Sequence, residues 1–250
     1  MEAYGDFALI YDQLINEDIN YKEYAKFILE QCKINDINFN NYLDLACGSG
    51  NLTFEIYKNF KHSYGIDLSE EMLCIAQDKI VNMNFRPKFL NQDITEFKVN
   101  ETFDLITCCL DSINYIIEED GLKSMFKRAY NSLNDNGIFI FDINSYYKLT
   151  EILGNNIYSF DNDDVFYCWN NTLNDDIVTM ELTFFIKEED DIYTRVDEVH
   201  KERGYSEEKI EALIKQCNFH ILKKVENYTD KDVTEKSERI VYIIKKAQQG

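Results

Sequence analysis

The run Tyr42-Leu43-Asp44-Leu45-Ala46-Cys47-Gly48-Ser49-Gly50-Asn51-Leu52-Thr53 decides how this chain is read. Tyr42 to Ala46 is short and mostly apolar, as a buried strand is. Gly48 and Gly50 follow, and Leu52, Ile56 and Phe60 then recur at helical spacing. Strand, glycine turn and helix in that order form a nucleotide-binding device. Glycine lets the backbone bend tightly and approach a ligand with no Cβ in the way. The helix start adds unpaired N–H groups and partial positive charge. A dinucleotide site would continue as Gly-x-Gly-x-x-Gly, but the third position holds Thr53. Asp44 stands on the strand itself. A carboxylate there repels a pyrophosphate and suits an ammonium or a sulfonium.

At these residues the chain resembles the class I S-adenosylmethionine-dependent methyltransferases. Their first motif is a strand ending in Asp/Glu-x-x-x-Gly-x-Gly, and Asp44 to Gly50 fits it without a gap. The resemblance implies an α/β fold of the Rossmann-like methyltransferase type. Its doubly wound, seven-stranded sheet is mostly parallel with an antiparallel last strand. It also implies S-adenosyl-L-methionine as donor, S-adenosyl-L-homocysteine as product, and no metal.

Further along, His62 to Ile66 reads as the second strand, ending at Asp67. That is close to where the acid binding a ribose diol is expected, and a carboxylate can accept from both hydroxyls. Ser69 caps a helix with Glu70 and Glu71 in its first turn, and Met72 is expected to face the adenine. Lys88 to Asn91 is the third strand, followed by Gln92-Asp93-Ile94. The resemblance assigns Asp93 to the exocyclic amine and sets Ile94 beside the ring. Ala46, Cys47, Gly48, Gly50 and Leu68 complete the expected cofactor site. Phe103 to Leu110 is nearly continuously apolar, as a central parallel strand is. Beyond its end, Cys109, Leu110, Asp111, Asn114 and Tyr115 should line the place where donor meets acceptor. Burial makes a redox role for the Cys108-Cys109 pair a poor reading.

Leu122, Phe126, Ala129 and Leu133 stripe a helix, Asn134 to Gly137 reads as a turn, and Ile138 to Asp142 as the fifth strand. The pattern then changes to period two over Val165–Thr172, Ile177–Lys187 and Tyr193–Arg203. We expect a small inserted antiparallel β-sheet over 151–204 that covers the substrate. The core is expected over 1–150 and 205–250, with an N-terminal helical lid over 1–36. Helical spacing over Phe7, Ile10, Tyr11 and Leu14, and again over Tyr24, Phe27 and Ile28, predicts two helices there. Phe7 to Asp12 is similar to a Phe-Ala-x-x-Tyr-Asp run of small-molecule relatives, which makes Tyr11 a candidate against the sulfonium. His200, Arg203 and Tyr205 are similar to a His-x-x-Arg-x-Tyr sequence of the same relatives. His200, Asp111 and Tyr11 are the candidate catalytic groups, in no settled order. Asp111, Asn114, Tyr115, His200 and Arg203 are the candidate acceptor-binding groups. A helix with Ile210, Leu213 and Ile214 buried, then strands Phe219–Val225 and Ile240–Lys245, should close the sheet.

Composition narrows the partners. Lys plus Arg number 26 against 46 Asp plus Glu, a formal net charge of −20. Such a surface repels polyanions and argues against a nucleic-acid acceptor. No apolar run approaches the ~18 residues that span a bilayer, and no secretion signal opens the chain. The cysteines (Cys32, Cys47, Cys74, Cys108, Cys109, Cys168, Cys217) are irregularly spaced, which suits a reduced, cytoplasmic setting and no structural zinc. A small-molecule acceptor is the reading preferred. A protein or RNA methyltransferase, a non-catalytic S-adenosylmethionine-binding protein and a nicotinamide-dependent oxidoreductase are the alternatives. Monomer and dimer both stay open.

Overall fold

The computed structural model describes residues 19–81, 86–161, 164–188 and 192–247. The helix expected over Phe7–Leu14, and Tyr11 within it, lies outside the described residues. The second N-terminal helix is α1 (Tyr21–Ile34). Asn20 caps it through Glu23 N, and Ala25, Phe27, Ile28 and Cys32 form its buried stripe.

Strand and helix then alternate. β1 (Asn41–Leu45) leads to α2 (Asn51–Ile56), which tightens into a 3-10 turn at Tyr57–Asn59. β2 (His62–Asp67), α3 (Glu70–Lys79) and β3 (Lys88–Asn91) follow, then β4 (Phe103–Cys108), α4 (Glu119–Ser132) and β5 (Leu133–Asn144). After the inserted segment come α5 (Glu207–Gln216), β10 (Phe219–Glu226) and β11 (Arg239–Lys246). The sheet runs β10-β11-β5-β4-β1-β2-β3. β11 is antiparallel to both neighbours, and the other pairs are parallel. From β1 the chain winds outward through β2 and β3. It then returns to the other side of β1 for β4 and β5. The crevice beyond the carboxyl ends of β1 and β4 is therefore a topological switch point, where such sheets bind ligands.

Every residue of β4 is buried, as a strand covered on both faces requires. One face carries Leu43, Leu45, Phe103, Phe126, Phe139 and Tyr242. The other carries Phe27, Ile28, Ile56, Leu105, Ile138 and Ile140 against α1 and α2. Burying each such side chain contributes about 1.5–3 kcal/mol, so the site's scaffold is rigid.

The inserted sheet has four strands, where three were expected: β6 (Ile157–Asp161), β7 (Val165–Asn174), β8 (Ile177–Lys187) and β9 (Tyr193–Arg203). β6 went unread because it is a short edge strand that is mostly exposed and lacks apolar alternation. On β8 the expected period-two face holds. Val178 and Met180 pack on Leu149 and Leu153 of a helical turn at Lys148–Leu153. Across the ladder that face continues as Glu198, His200 and Glu202 of β9.

Two boundaries differ from expectation. Asn134 to Gly137 lies inside β5, because pairing with β4 jumps from Phe103↔Leu133 to Leu105↔Ile138 and the intervening residues bulge out. β4 stops at Cys108, short of Leu110, because Leu110 and Asp111 adopt positive φ of 59° and 52°.

Candidate functional site

One cavity of about 910 Å³ occupies the switch-point crevice. Its donor-side wall is built from the ends of β1, β2 and β3. Asp44, Gly48, Asp67 and Asp93 all lie on that wall. Ala46 and Gly48 adopt positive φ of 54° and 53°. At Gly48 a Cβ would meet nothing within 4 Å, so the bare backbone there faces open space that a ligand can fill. Lys79 Nζ clamps the loop from α3, donating to Ser49 O at 3.1 Å and Asn51 Oδ1 at 2.8 Å.

Asp67 accepts from Gly48 N at 2.7 Å on one oxygen and from Ser69 N at 2.9 Å on the other. A carboxylate has about four lone-pair positions, so one remains on each oxygen. That is the pair of acceptors a vicinal diol needs. Burial pushes the Asp67 carboxyl up, and the N–H groups of Ser69 and Gly48 oppose the shift. Asp93 accepts from both Thr95 N and Thr95 Oγ1 through one oxygen. Leu68, Met72 and Ile94 supply apolar wall, and Leu68 is 70% exposed, a surface that a flat ring would cover. Cys47 also lines the cavity, and burial pushes its thiol well up, which keeps it unreactive. Gly sites, diol acceptors and an apolar slot together fit an adenosyl group.

Asp44 departs from expectation. It lines the cavity, but it is 2% exposed and both oxygens are taken. Thr53 Oγ1 donates at 2.5 Å and Thr107 Oγ1 at 2.6 Å. Asp44 therefore ties α2 and β4 to β1, and at 2% exposure it presents little surface to a ligand. Desolvation raises its pKa to about 6 against the pull of those hydroxyls.

The acceptor side is made by the segment after β4, the first turn of α4, and β9. Cys109, Leu110, Asp111, Tyr115, Glu118 and His200 line it. The left-handed Leu110 and Asp111 are held by one carboxylate: their adjacent N–H groups donate to Asp142, each at 2.7 Å. Asp142 is fully buried and also accepts from Tyr228 OH and Arg239. Arg239 bridges onward to Asp111 Oδ1 at 2.6 Å. Tyr228 stacks on Tyr24 of α1 at 4.0 Å between centroids, so α1 is packed onto the same network. His200 sits edge-on to the Tyr115 ring, 5.9 Å between centroids, with Glu198 at 4.0 Å. Burial lowers the His200 pKa, and Glu198 opposes this.

Several expected residues stand off the wall. Gly50 adopts a φ of 81° as the N-cap of α2 and shapes the loop. Gln92 closes a local turn by accepting from Lys98 N at 2.8 Å. Asn114 is fully buried, and its amide joins Asn144 and Arg203 O instead of facing a ligand. Arg203 donates to Ile117 O and faces Asp176 at 3.3 Å, so it braces the return of β9 to the core. In both cases strand packing took the polar group before a ligand could. Tyr205 likewise donates to Ile116 O.

Other wall residues escaped the sequence reading. Ile19 and Tyr21 at the start of α1 line the rim, as do Ile116, Ile117 and Gly121. Arg239 was missed too. Its one signal is a lone cation opening the apolar run Ile240–Ile244. Glu202, on the His200 face of β9, is buried and accepts from Asn144 Nδ2 at 2.8 Å. Burial, with Asp111 nearby, pushes its pKa up to about 8. Among the described residues no group of three or more His, Cys, Asp or Glu side chains could hold a metal, and no helix is long and apolar enough to cross a membrane.

Comparison with known proteins agrees with this geometry. A family model described as a methyltransferase domain matches residues 43–137. A protein of Geobacillus sp. (strain WCH70) named "Putative methyltransferase" is 32% identical over 98% of this chain and all of its own length. A crystal structure of an S-adenosylmethionine-dependent methyltransferase from Clostridium acetobutylicum ATCC 824 is 48% identical. It covers 99% of this chain and 100% of its own, with a TM-score of 0.93. The sugar N-methyltransferase KedS8 from Streptoalloteichus sp ATCC 53650 shares the fold at 16% identity, covering 95% and 93%, with a TM-score of 0.78.

Proposed function

Because the chain belongs to the class I S-adenosylmethionine-dependent methyltransferase family, we propose that it methylates a nitrogen or oxygen of a small-molecule acceptor held beneath the inserted sheet. The observation that carries this reading is the single cavity. Among the described residues, Gly48, Asp67 and Asp93 line the same cavity as Asp111, Tyr115 and His200.

When bound, S-adenosyl-L-methionine supplies an electrophilic methyl on a sulfonium. The chain's residues then have four tasks. Asp67 accepts the two ribose hydroxyls, and Asp93 accepts from the adenine amine. Leu68, Met72 and Ile94 cover the ring. Asp44 and the neighbouring acids give the cavity the negative potential that suits a cation. At the other end Asp111, held by Arg239, and Tyr115 orient the acceptor. His200, on the same wall, takes a proton from the acceptor atom in this reading. Little covalent chemistry is asked of the side chains. Holding the two reactants in line and excluding water is the main contribution. KedS8 is a sugar N-methyltransferase by its title, and its shared fold supports an acceptor of small size. The seven free cysteines suit a reducing, cytoplasmic setting.

Isothermal titration of the purified protein with S-adenosyl-L-homocysteine, and mass-spectrometric detection of methyl transfer to small metabolites, test this reading. Micromolar binding and a methylated small product are expected. Absence of binding removes the donor assignment. Binding without any turnover leaves a cofactor-binding protein and removes the transfer.

A further inference from the structure

We propose that the acceptor is an amine, cationic in solution and free of phosphate or carboxylate near its reacting atom, and that Asp111, Glu118 and Tyr115 receive its ammonium at the cavity wall. This rests on the methyl-transfer reading above and narrows it to one substrate class.

The first support is the charge of the wall. Asp44, Asp67, Asp93, Asp111 and Glu118 line the cavity, and no lysine or arginine does among the described residues. Two cations touch wall residues on the acceptor side without lining the cavity: Arg203 donates to Ile117 O and faces Asp176, and Arg239 binds Asp111. Arg239 is already divided between Asp111 and Asp142, which leaves that trio one negative charge. Glu118 caps α4 with no side-chain hydrogen bond to the helix, so its carboxylate is not spent on the cap. No wall residue is therefore available to pair with an anionic acceptor, and like charges there repel it.

The second support is where charge moves during transfer. The amine nitrogen forms its bond to the methyl carbon as the carbon–sulfur bond breaks. The sulfur keeps the electron pair and becomes a neutral thioether, and positive charge appears on the nitrogen. Charge thus shifts from the donor end toward Asp111 and Glu118, which stabilise it as it develops. A hydroxyl acceptor needs the opposite, because its oxygen must first approach an alkoxide. That is the one charge this wall disfavours, with no cation there to offset it. An ammonium must lose its extra proton in the site before the nitrogen can attack. His200 stands on the same wall to take that proton and release it to solvent. The groups facing His200 are Glu198 on its own strand and Tyr115 from the segment after β4, and its ladder partner on β8 is Met180. None of these is a cation. The lowered pKa of the imidazole agrees with that role.

The test divides a small-metabolite extract by ion exchange into cationic, neutral and anionic pools before any reaction. Each pool is incubated with the protein and a trideuteromethyl donor, and labelled products are counted by mass spectrometry. We expect at least tenfold more label in the cationic pool. In parallel, saturation-transfer NMR on the protein loaded with S-adenosyl-L-homocysteine compares benzylamine, benzyl alcohol and benzoate. Benzylamine should show the strongest contact, reduced at least threefold in Glu118→Lys. Label in the neutral or anionic pool, or benzoate contact equal to that of benzylamine, overturns the amine assignment and leaves methyl transfer standing. No label in any pool, with S-adenosyl-L-homocysteine still bound by the protein, overturns the transfer reading and this inference with it. Glu118→Gln is the second variant should Glu118→Lys not fold, with a smaller loss in the same direction expected.

Discussion

Asp67→Ala gives the most direct measure of the donor site. In the structure the Asp67 carboxylate spends one lone pair of each oxygen on Gly48 N and Ser69 N, at 2.7 and 2.9 Å. The second lone pair of each oxygen is what the two ribose hydroxyls would use. A hydrogen bond to a charged group contributes about 1.5–3 kcal/mol. Asp67 is only part-buried, so the lower end applies. Two bonds then amount to about 3 kcal/mol, or roughly 150-fold in Kd. Titration calorimetry with S-adenosyl-L-homocysteine reads this directly, and urea denaturation separates it from any loss of fold. The alanine variant also strips two loop N–H groups of their acceptor, which water replaces, at a cost of about 1–2 kcal/mol of stability. Asp67→Asn is not benign. Its amide keeps one oxygen and turns an NH₂ toward Gly48 N or Ser69 N, donor against donor. We expect affinity to fall about tenfold, for one of the two bonds. A folded Asp67→Ala protein that binds the homocysteine within threefold of the parent would refute the diol assignment.

Three further outcomes follow from the same geometry. Asn114→Ala removes the amide that joins Asn144 and Arg203 O. It should cost about 2–4 kcal/mol in urea denaturation while leaving S-adenosyl-L-homocysteine affinity within a few-fold, and a tenfold affinity loss would show that Asn114 touches ligand after all. Glu202 has its pKa raised to about 8 in the fold. A carboxyl raised in this way binds its proton more tightly when native, so its contribution is full below the unfolded value and is lost as pH rises toward 8. Glu202→Gln should flatten the fall in stability between about pH 4.5 and 8, and parallel denaturation curves for parent and variant would contradict the assignment. Gly65→Ala would put a Cβ 2.6 Å from Phe89 Cδ1 and 2.7 Å from Cys47 Sγ. Overpacking of about 1–3 kcal/mol should lower Tm by several degrees, and an unchanged Tm would mean that the glycine loop has room to shift.

The donor half was legible because its parts are local. Asp44, Gly48, Asp67 and Asp93 each end a strand or open the loop behind it, and parallel strands carry their ends to one edge. Once the strand periodicity is read, the position of those acids follows from chain order alone. The fate of Asp44 shows the limit of that reading. Its place on β1 was readable, but Thr53 and Thr107, which occupy its oxygens, are brought to it by the packing of α2 and β4.

What the amino-acid order determined by itself is the sheet, its glycine turn, the acids at its strand tips and an inserted period-two sheet. These depend on residues a few positions apart, where backbone geometry sets which side chains share a face. Only tertiary structure decided the acceptor half. Arg239 reaches Asp111 across 128 positions of chain. Asn114 and Arg203, candidates by type, turn inward to join strand ends, and His200 reaches the cavity because β9 packs over it. Such pairings depend on which buried polar groups find partners at close quarters. A buried group left unpaired costs more than most single contacts contribute, so packing settles these roles, and no local pattern records the outcome.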